Sequence, residues 1–399
     1  MEALMERIAE IADPAVYQGG VWPTESQQLL LRAALLDAPA AAEALAAWKK
    51  SVRLDSLDSA SWKLIPLLYA NLKRLGIDDP LMLQARDLRL QSWSNNQRLF
   101  FKTAEFLEVL RRAGIPALVL KGVAMANLYY PDTGARPMAD LDLLVPPAKF
   151  FELANRLLSE GWKETDGYPL SSFDMEALPS FGFVRPDGFA VDLHCHVLHA
   201  DCTPGADDAF WARAVPWRLR QTPAQTLAPE DHLLHVISHG VRWCDVAPFR
   251  WIADAWWILA RSRAGFDWDY FVGRTRFHQV HLSILCGLDL MNRITPLELP
   301  AGLLEKLERI PVTAAARVRF IADTHPLPRP FFPRAAAIWG ILGEGESRYD
   351  VVGEKAEPEK KRRDLFLIPA LLLFALRVAW RERAQLWEGC GEWMRGGSR

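Results

Sequence analysis

The sequence has little cysteine and no marked excess of charge of either sign. Five cysteines occur among 399 residues, and no two of them form a Cys-x-x-Cys pair. An odd number without such pairs argues against a disulfide-stabilised secreted domain and favours a reducing compartment. The first residues also lack the basic segment and apolar stretch of a secretion signal. We therefore expect a cytoplasmic protein.

The charge disfavours a protein that binds long nucleic acids, and the length of the apolar runs disfavours a membrane-spanning protein. Lys and Arg number 47 against 49 Asp and Glu, a formal net charge of −2, so no global basic field attracts long nucleic acids. The longest apolar run, residues 365–376, is too short to span a bilayer. Its basic flanks leave two interpretations open: a buried C-terminal helix, or a weak membrane-surface contact through residues 360–383.

What the sequence does contain is apolar and aromatic material for a large core. Apolar residues make up 50% of the chain, and sixteen residues are tryptophan, a side chain that needs a large core or a substrate face to pack against. At roughly 150 residues per domain, the length predicts two or three structural units.

The spacing of apolar residues changes twice along the chain. It is helical over residues 24–114, where Thr24 and Gln27 predict a capped start and Met82–Arg112 predicts one or two long helices. Short alternating segments follow, and helical spacing then returns. We therefore predict an α+β fold, with a small α/β core and a mixed sheet embedded between helical regions. The predicted divisions are an N-terminal helical region at 1–114, the core at 115–205, a helical domain at 206–342, and a linker with a C-terminal helix at 343–399.

Two carboxylates lie two residues apart in the segment before Val145. In a β-strand, Asp140 and Asp142 project to the same face, while Leu141 and Leu143 point to the core. Adjacent carboxylates repel each other unless a cation lies between them. This strand therefore predicts a metal site.

A second alternating segment, residues 189–197, repeats the same logic. Asp192, His194 and His196 share one face, and Cys195 points to the opposite one. If the two strands are neighbours, three carboxylates converge on one polar patch. Because Cys195 faces away, a compact zinc site of Cys and His ligands is disfavoured. His194 and His196 could still join Asp192 at a transition metal, or line a nucleotide site.

A strand-to-helix turn precedes both segments. Lys121 and Gly122 follow a buried strand predicted at residues 117–120 and come before residues with helical spacing. A glycine at such a turn lets the backbone approach a phosphate at the helix N-terminus, and Lys121 adds positive charge.

These motifs, in this order, resemble a known family. The run LKGVAMANLYYPDTGARPMADLDLLV, followed by VDLHCHVLH, is similar to the uncharacterised nucleotidyltransferase-like family of the DNA polymerase β-type nucleotidyltransferase superfamily, with a weaker echo in PEDHLLHVISHGVRWCDVAPFRWIAD. The resemblance implies that Gly122 faces a triphosphate, that Asp140 and Asp142 hold two divalent metal ions, Mg²⁺ or Mn²⁺, and that Asp192 is the third carboxylate. Val123 stands where the superfamily usually has a hydroxyl or a second glycine, and Lys121 and Arg136 could compensate with charge.

Downstream histidines have helical spacing. His232, His235 and His239 share one helix face, and the glutamate of a metalloprotease motif is missing between the last two. This face either packs on the core or closes over the nucleotide, for which His239 is the candidate. Arg250 and Asp254 have the spacing of an ion pair on a helix.

Together these observations predict an enzyme that transfers a nucleoside monophosphate from an NTP to an unknown acceptor by a two-metal mechanism. A small molecule, a protein or a glycan is a better acceptor than a long nucleic acid. Two alternatives remain: a catalytically decayed nucleotide-binding or adaptor protein, favoured by Val123, and an Asp/His metal-dependent hydrolase.

Overall fold

The computed structural model describes residues 20–53, 56–167, 169–173, 175 and 178–325. The predicted linker and C-terminal helix, and the membrane-surface contact through 360–383, lie outside the described residues. Within the described ranges, no helix combines the length and the apolar character needed to cross a membrane.

The N-terminal region is helical, as predicted. Thr24 caps the first helix: its hydroxyl accepts a hydrogen bond from the Gln27 N–H at 3.3 Å, and Gln27 Oε1 accepts one from the Thr24 N–H at 3.0 Å. The last helix of this region is a single helix of 31 residues, whose second half lies against the sheet through Phe106 and Leu110. The helices are α1 (Glu25–Leu35), α2 (Ala40–Ser51), α3 (Ser59–Trp62), α4 (Ile65–Leu75) and α5 (Met82–Arg112).

A seven-stranded sheet forms the centre of the molecule. Its spatial order is β3-β4-β5-β2-β1-β7-β6. Strands β2 and β5 are parallel, as are β1 and β7, and the other neighbours are antiparallel. The mixed sheet confirms the predicted α+β class. The strands are β1 (Leu118–Val119), β2 (Asp140–Leu144), β3 (Lys163–Glu164), β4 (Ser180–Val184), β5 (Ala190–His194), β6 (Val215–Leu219) and β7 (Thr222–Thr226).

The sheet extends past the division predicted at residue 205. Strands β6 and β7 form a hairpin, and β7 pairs with β1 through Thr226 and Val119. Each strand of the hairpin contains a proline, Pro216 or Pro223, a residue that disfavours the prediction of a strand and is tolerated mainly near the edge of a sheet. The α/β core therefore ends near residue 226.

The remaining helices lie around the sheet and beyond it. They are α6 (Lys121–Leu128), α7 (Pro147–Ser159), α8 (Asp208–Ala212), α9 (Pro229–Gly240), α10 (Arg250–Ser262), α11 (Trp268–Phe277), α12 (His281–Ile294), α13 (Leu303–Glu308) and α14 (Ala314–Thr324).

Two hydrophobic clusters stabilise these elements. One covers a face of the sheet and contains Leu141, Leu143 and Phe181. The other joins the N-terminal helices to the C-terminal ones and contains residues such as Leu30 of α1 and Ile252 of α10. The face of β2 that carries Asp142 also carries Leu144, which packs in the second cluster.

Candidate functional site

Strands β2 and β5 bring the predicted carboxylates together. The two strands are parallel neighbours, and their register places Asp142 directly opposite Asp192. Leu141 and Leu143 are fully buried on the other face of β2. Because side chains alternate along a strand, this burial directs Asp142 to the polar face. The expectation that the two segments are adjacent is confirmed.

Lys121 supplies the nearest positive charge to this face. Its Nζ lies 2.8 Å from Asp142 Oδ1, and both side chains are largely buried. The backbone of Lys121 has a φ of 38°, in the left-handed region that non-glycine residues rarely adopt. The neighbouring Leu120 N–H donates to the Asp142 carbonyl oxygen at 2.9 Å. Strained backbone of this kind clusters at functional sites, and here it holds an ammonium against a buried carboxylate.

His194 lies between the two opposed carboxylates. Its Nε2 is 3.3 Å from Asp142 Oδ1 and 3.1 Å from Asp192 Oδ2, and its Nδ1 is 3.2 Å from the His196 carbonyl oxygen. Burial alone would lower the pKa of His194, but the charge of Asp192 and the hydrogen bonds to both carboxylates raise it to about 9. The imidazole is therefore a cation at neutral pH and donates from both ring nitrogens.

The same contacts set the charge state of the two carboxylates. Burial would raise the pKa of Asp142, but the charge of Lys121 and the hydrogen bond from His194 hold it well below its usual range. Burial opposes the ionisation of Asp192 too, and His194 lowers its pKa in the same way. Both side chains are anionic at neutral pH. Asp192 is the more accessible, with 32% of its side chain exposed against 11% for Asp142.

Asp140 lies at the start of β2 and is exposed at its edge of the site. Desolvation by the surrounding chain and the charges of Asp142 and Asp192 raise its pKa. Asp140 is thus close enough to interact electrostatically with both carboxylates, but it is not part of their hydrogen-bonded cluster.

The donor atoms of Asp142, Asp192 and His194 would fit a divalent metal ion once the His194 imidazolium releases its Nε2 proton. One ligand atom from each residue lies within 4.8 Å of the other two. Carboxylates suit Mg²⁺ and Mn²⁺, whereas imidazole favours later transition metals, so Mn²⁺ is compatible with all three ligands. Asp140 is not a member of this group, and a second ion would need it as an additional ligand.

Gly122, predicted to face a triphosphate, has a packing role in the structure. A β-carbon built on Gly122 would lie 3.1 Å from Arg136 Nη1 and 3.2 Å from Met138 Sδ. The absence of a side chain therefore lets these two residues approach helix α6. Val123 packs in the hydrophobic cluster of the sheet and is 1% exposed. The Val123 side chain therefore has a structural role of its own. Its presence gives less support to the interpretation of a catalytically decayed site.

Arg136 was expected to bring positive charge to the triphosphate. In the structure its guanidinium is instead paired with a carboxylate of the protein. Its Nε and Nη2 donate to the two carboxylate oxygens of Asp254 at 2.7 and 2.9 Å, and the Tyr130 hydroxyl donates to the same carboxylate at 2.6 Å. The Arg136 and Asp254 side chains are 5% and 6% exposed. This buried pair connects the segment before β2 to helix α10.

The ion pair predicted between Arg250 and Asp254 is replaced by this arrangement. Arg250 Nη1 donates to the Pro137 carbonyl oxygen at 3.0 Å, and Asp254 directs its oxygens to Arg136 and Tyr130. The i,i+4 spacing indicated two neighbours on one helix face, but the tertiary partner offers two parallel hydrogen bonds and prevails.

His196 and Cys195 lie outside the carboxylate cluster. His196 Nδ1 is 2.6 Å from Asp207 Oδ2, and the neighbouring Val197 N–H donates to Asp207 Oδ1 at 2.9 Å. Cys195 is buried in the hydrophobic cluster of the sheet, on the face predicted from its register. In the structure, His194 and His196 therefore do not form one metal site together.

The three histidines of α9 have different surroundings. His232 Nε2 lies 2.9 Å from Thr226 Oγ1, which itself donates to the Val119 carbonyl oxygen at 2.6 Å. His232 thus packs α9 on the sheet. His235 and His239 have rings 6.0 Å apart, and both line a cavity that reaches the chain just after β5.

This cavity contains polar groups from four parts of the chain. Its volume is about 50 Å³, several times the minimum that holds one water molecule. Its polar lining residues are His199, His235, Ser238, His239, Arg242, Gln279, Ser283, Arg319 and Asp323.

No sequence pattern identifies several of these residues. Arg319 belongs to α14, and Ser283 to α12, both far along the chain from the carboxylates. Neither residue is part of a motif, and only the packing of α9, α12 and α14 brings them beside His239. The one local feature is that Arg319 lies in the chain between two buried apolar residues, Val318 and Phe320.

Comparison with known proteins gives one family and a weak structural likeness. No curated protein matches the chain. One solved structure, described as an antigenic nucleotidyltransferase-like protein from Paracoccidioides brasiliensis, is 15% identical and is matched over 55% of this chain and 95% of that one, with a TM-score of 0.32. The family model described as "Uncharacterised nucleotidyltransferase" matches residues 59–296. That span contains the whole carboxylate cluster and most of the cavity. It also covers more than half of the sequence, and the chain therefore belongs to the uncharacterised nucleotidyltransferase family.

Proposed function

We propose that the protein transfers a nucleoside monophosphate from an NTP to an acceptor, at the site formed by Asp142, Asp192 and His194. The observation that carries the proposal is the register of β2 and β5, which sets two carboxylates opposite each other with an imidazole nitrogen within 3.3 Å of both. Family membership supports nucleotidyl transfer as the general reaction.

A divalent ion held by these three residues would polarise the α-phosphate and stabilise its developing charge. The acceptor oxygen forms a bond to the α-phosphorus, the bond to the bridging oxygen breaks, and pyrophosphate leaves. Asp192 is the more accessible of the two carboxylates and would accept the proton of the acceptor hydroxyl. Lys121 provides a positive charge beside Asp142, where the triphosphate brings negative charge.

A second ion is the finer part of the proposal. It would lie between Asp140 and Asp142, since both carboxylates begin β2 and their charges already interact. Mg²⁺ and Mn²⁺ are the candidates, and Mn²⁺ matches the imidazole ligand better.

The reaction can be tested with two labelled forms of ATP. Purified protein is incubated with Mn²⁺ or Mg²⁺, a cell lysate as the source of acceptors, and ATP labelled at either the α- or the γ-phosphate. Nucleotidyl transfer predicts that only the α-label enters an acceptor and that the γ-label leaves as pyrophosphate. Transfer of the γ-label would contradict the proposal.

The hydrolase remains a second candidate because of His194. An imidazole among the ligands favours a transition metal. A hydrolase predicts release of the label into water without a labelled acceptor. A decayed site predicts neither reaction, so the same experiment separates all three functions.

A further inference from the structure

A cavity lined by polar and charged side chains lies just beyond β5. It begins at Val197, three residues after His194, and is closed by α9, the start of α12 and α14. Two arginines, Arg242 and Arg319, line it, against a single acidic lining residue, Asp323. Arginine is the side chain best suited to carboxylate and phosphate groups.

The two cavity histidines present hydrogen-bonding atoms to this space. Burial and the charges of Lys121 and Arg242 hold the pKa of His239 well below its usual range, so the ring is neutral. Arg242 Nη2 donates to His239 Nε2 at 3.1 Å, which leaves the proton of His239 on Nδ1 as a donor. His235 is 2% exposed, and its Nδ1 has no hydrogen-bond partner among the described residues.

The Nδ1 atom of His235 has almost no accessible surface and does not face the cavity, so the positive charge of the arginines is what favours an anion there. At the rim of the cavity, the backbone of Gln279 has a φ of 55°. The Oε1 atom of Gln279 accepts a hydrogen bond from the Thr313 hydroxyl at 2.7 Å. The volume of about 50 Å³ is enough for one small group.

We propose that this cavity binds the anionic group, a phosphate or a carboxylate, of a small-molecule acceptor. That the ligand is an acceptor rests on the proposed nucleotidyl transfer, but the anion site itself does not depend on it. Lys121 and Asp142 act electrostatically on His235 and His239, so the cavity adjoins the carboxylate cluster. Competition with ATP decides whether the anion and the triphosphate share one place.

The test uses inorganic phosphate and acetate as probes in calorimetric titrations of the full chain, with a chelator present. We expect at least one of them to bind, and Arg319→Gln or Arg242→Gln to weaken its binding by about tenfold or more. Arg309→Gln is the matched control, because Arg309 is exposed at the end of α13 and does not line the cavity. Circular dichroism and melting temperature confirm that each variant is folded. Binding of phosphate but not acetate would identify the ligand's anionic group as a phosphate, and the reverse result would identify a carboxylate.

A second titration separates this inference from the proposed function. Phosphate or acetate is titrated in the presence of saturating Mn²⁺ and ATP, and into Asp142→Asn without metal. Binding that persists in both supports an acceptor site. Competition with ATP would assign the cavity to the triphosphate and overturn the inference, as would no binding of either probe. If ATP fails to bind while the probe still binds at Arg242 and Arg319, the nucleotidyl transfer fails and the anion site stands.

Discussion

Arg136 binds both carboxylate oxygens of Asp254, at 2.7 and 2.9 Å, in a pair that water scarcely reaches. The pair connects the loop that leads into β2 to helix α10. The position of β2, and with it of Asp142, is therefore coupled to the packing of the helical region.

Asp254→Asn is expected to destabilise the protein strongly. The variant leaves the Arg136 guanidinium buried without a counter-charge, and breaking a buried pair in this way costs about 3–5 kcal/mol. Denaturant unfolding followed by fluorescence measures the change. Asp187→Asn serves as a control, since Asp187 forms its ion pairs with Arg185 and Lys102 near the surface.

The double variant Arg136→Met with Asp254→Leu sharpens this test. It removes both charges and keeps the volume apolar, so it should be more stable than Asp254→Asn alone. An Asp254→Asn protein as stable as the unmodified one would show that the pair is not buried as described.

Gly240→Ala is expected to disturb the contact between α9 and α10. A β-carbon at Gly240 would lie 2.1 Å from Trp251 Cγ, which is part of a buried ring in the opposite helix. Overpacking of this kind costs about 1–3 kcal/mol or more. Gly273→Ala is the matched control, because no atom lies within 4 Å of its added carbon and α11 continues through it. Alanine there should stabilise the helix by about 0.5–1 kcal/mol.

Thermal unfolding of the two glycine variants shows the difference directly. The melting temperature should fall for Gly240→Ala and rise slightly for Gly273→Ala. Equal changes in the two variants would mean that α9 and α10 do not approach each other closely at this point.

His232 predicts part of the acid sensitivity of the fold. Burial lowers its pKa from 6.5 to about 3, so between these values the unfolded chain holds a proton that the folded protein lacks. The stabilising effect of the neutral ring is therefore complete above pH 6.5 and is lost as the pH falls toward 3. The expected slope is about 1.4 kcal/mol of unfolding free energy per pH unit.

The measurement compares the unmodified protein with His232→Gln by denaturant unfolding between pH 7.5 and pH 5. The variant lacks the titrating ring, and the unfolding free energy of the unmodified protein should fall more steeply below pH 6.5. Parallel profiles for the two proteins would contradict the assignment of His232 as a neutral buried ring.

The sequence predicted the parts of the fold that follow local periodicity. Alternation assigned Leu141 to the core and Asp142 to the polar face, and it did the same for Cys195 and Asp192. Strands β6 and β7 were not predicted because Pro216 and Pro223 mask their pattern. Both prolines are tolerated, since β6 is the edge strand and β7 pairs with β1 at Thr226, away from Pro223.

Partnerships across the fold could not be predicted in the same way. Helical spacing favoured Arg250 as the partner of Asp254, and only the tertiary structure shows that Arg136 offers the better geometry. The cavity depends on Arg319 of α14, whose position beside His239 results from packing between helices distant in the chain.

Asp140 distinguishes one metal ion from two. With a single ion at Asp142, Asp192 and His194, Asp140→Asn should leave the affinity for Mn²⁺ with ATP nearly unchanged. With two ions, the loss should approach that of Asp142→Asn, because Asp140 would be a ligand of the second ion. Titrations of Mn²⁺ at constant ATP, followed by calorimetry, give the stoichiometry as well as the affinity.

The central claim is that Asp142 and Asp192 together bind a metal ion with its nucleotide. The most direct measurement is calorimetric titration of ATP with Mn²⁺ into the unmodified protein, into the double variant Asp142→Asn with Asp192→Asn, and into Asp187→Asn as control. The account predicts metal-dependent binding in the unmodified protein and the control, and none in the double variant. Metal-dependent binding of equal affinity in the double variant would contradict it.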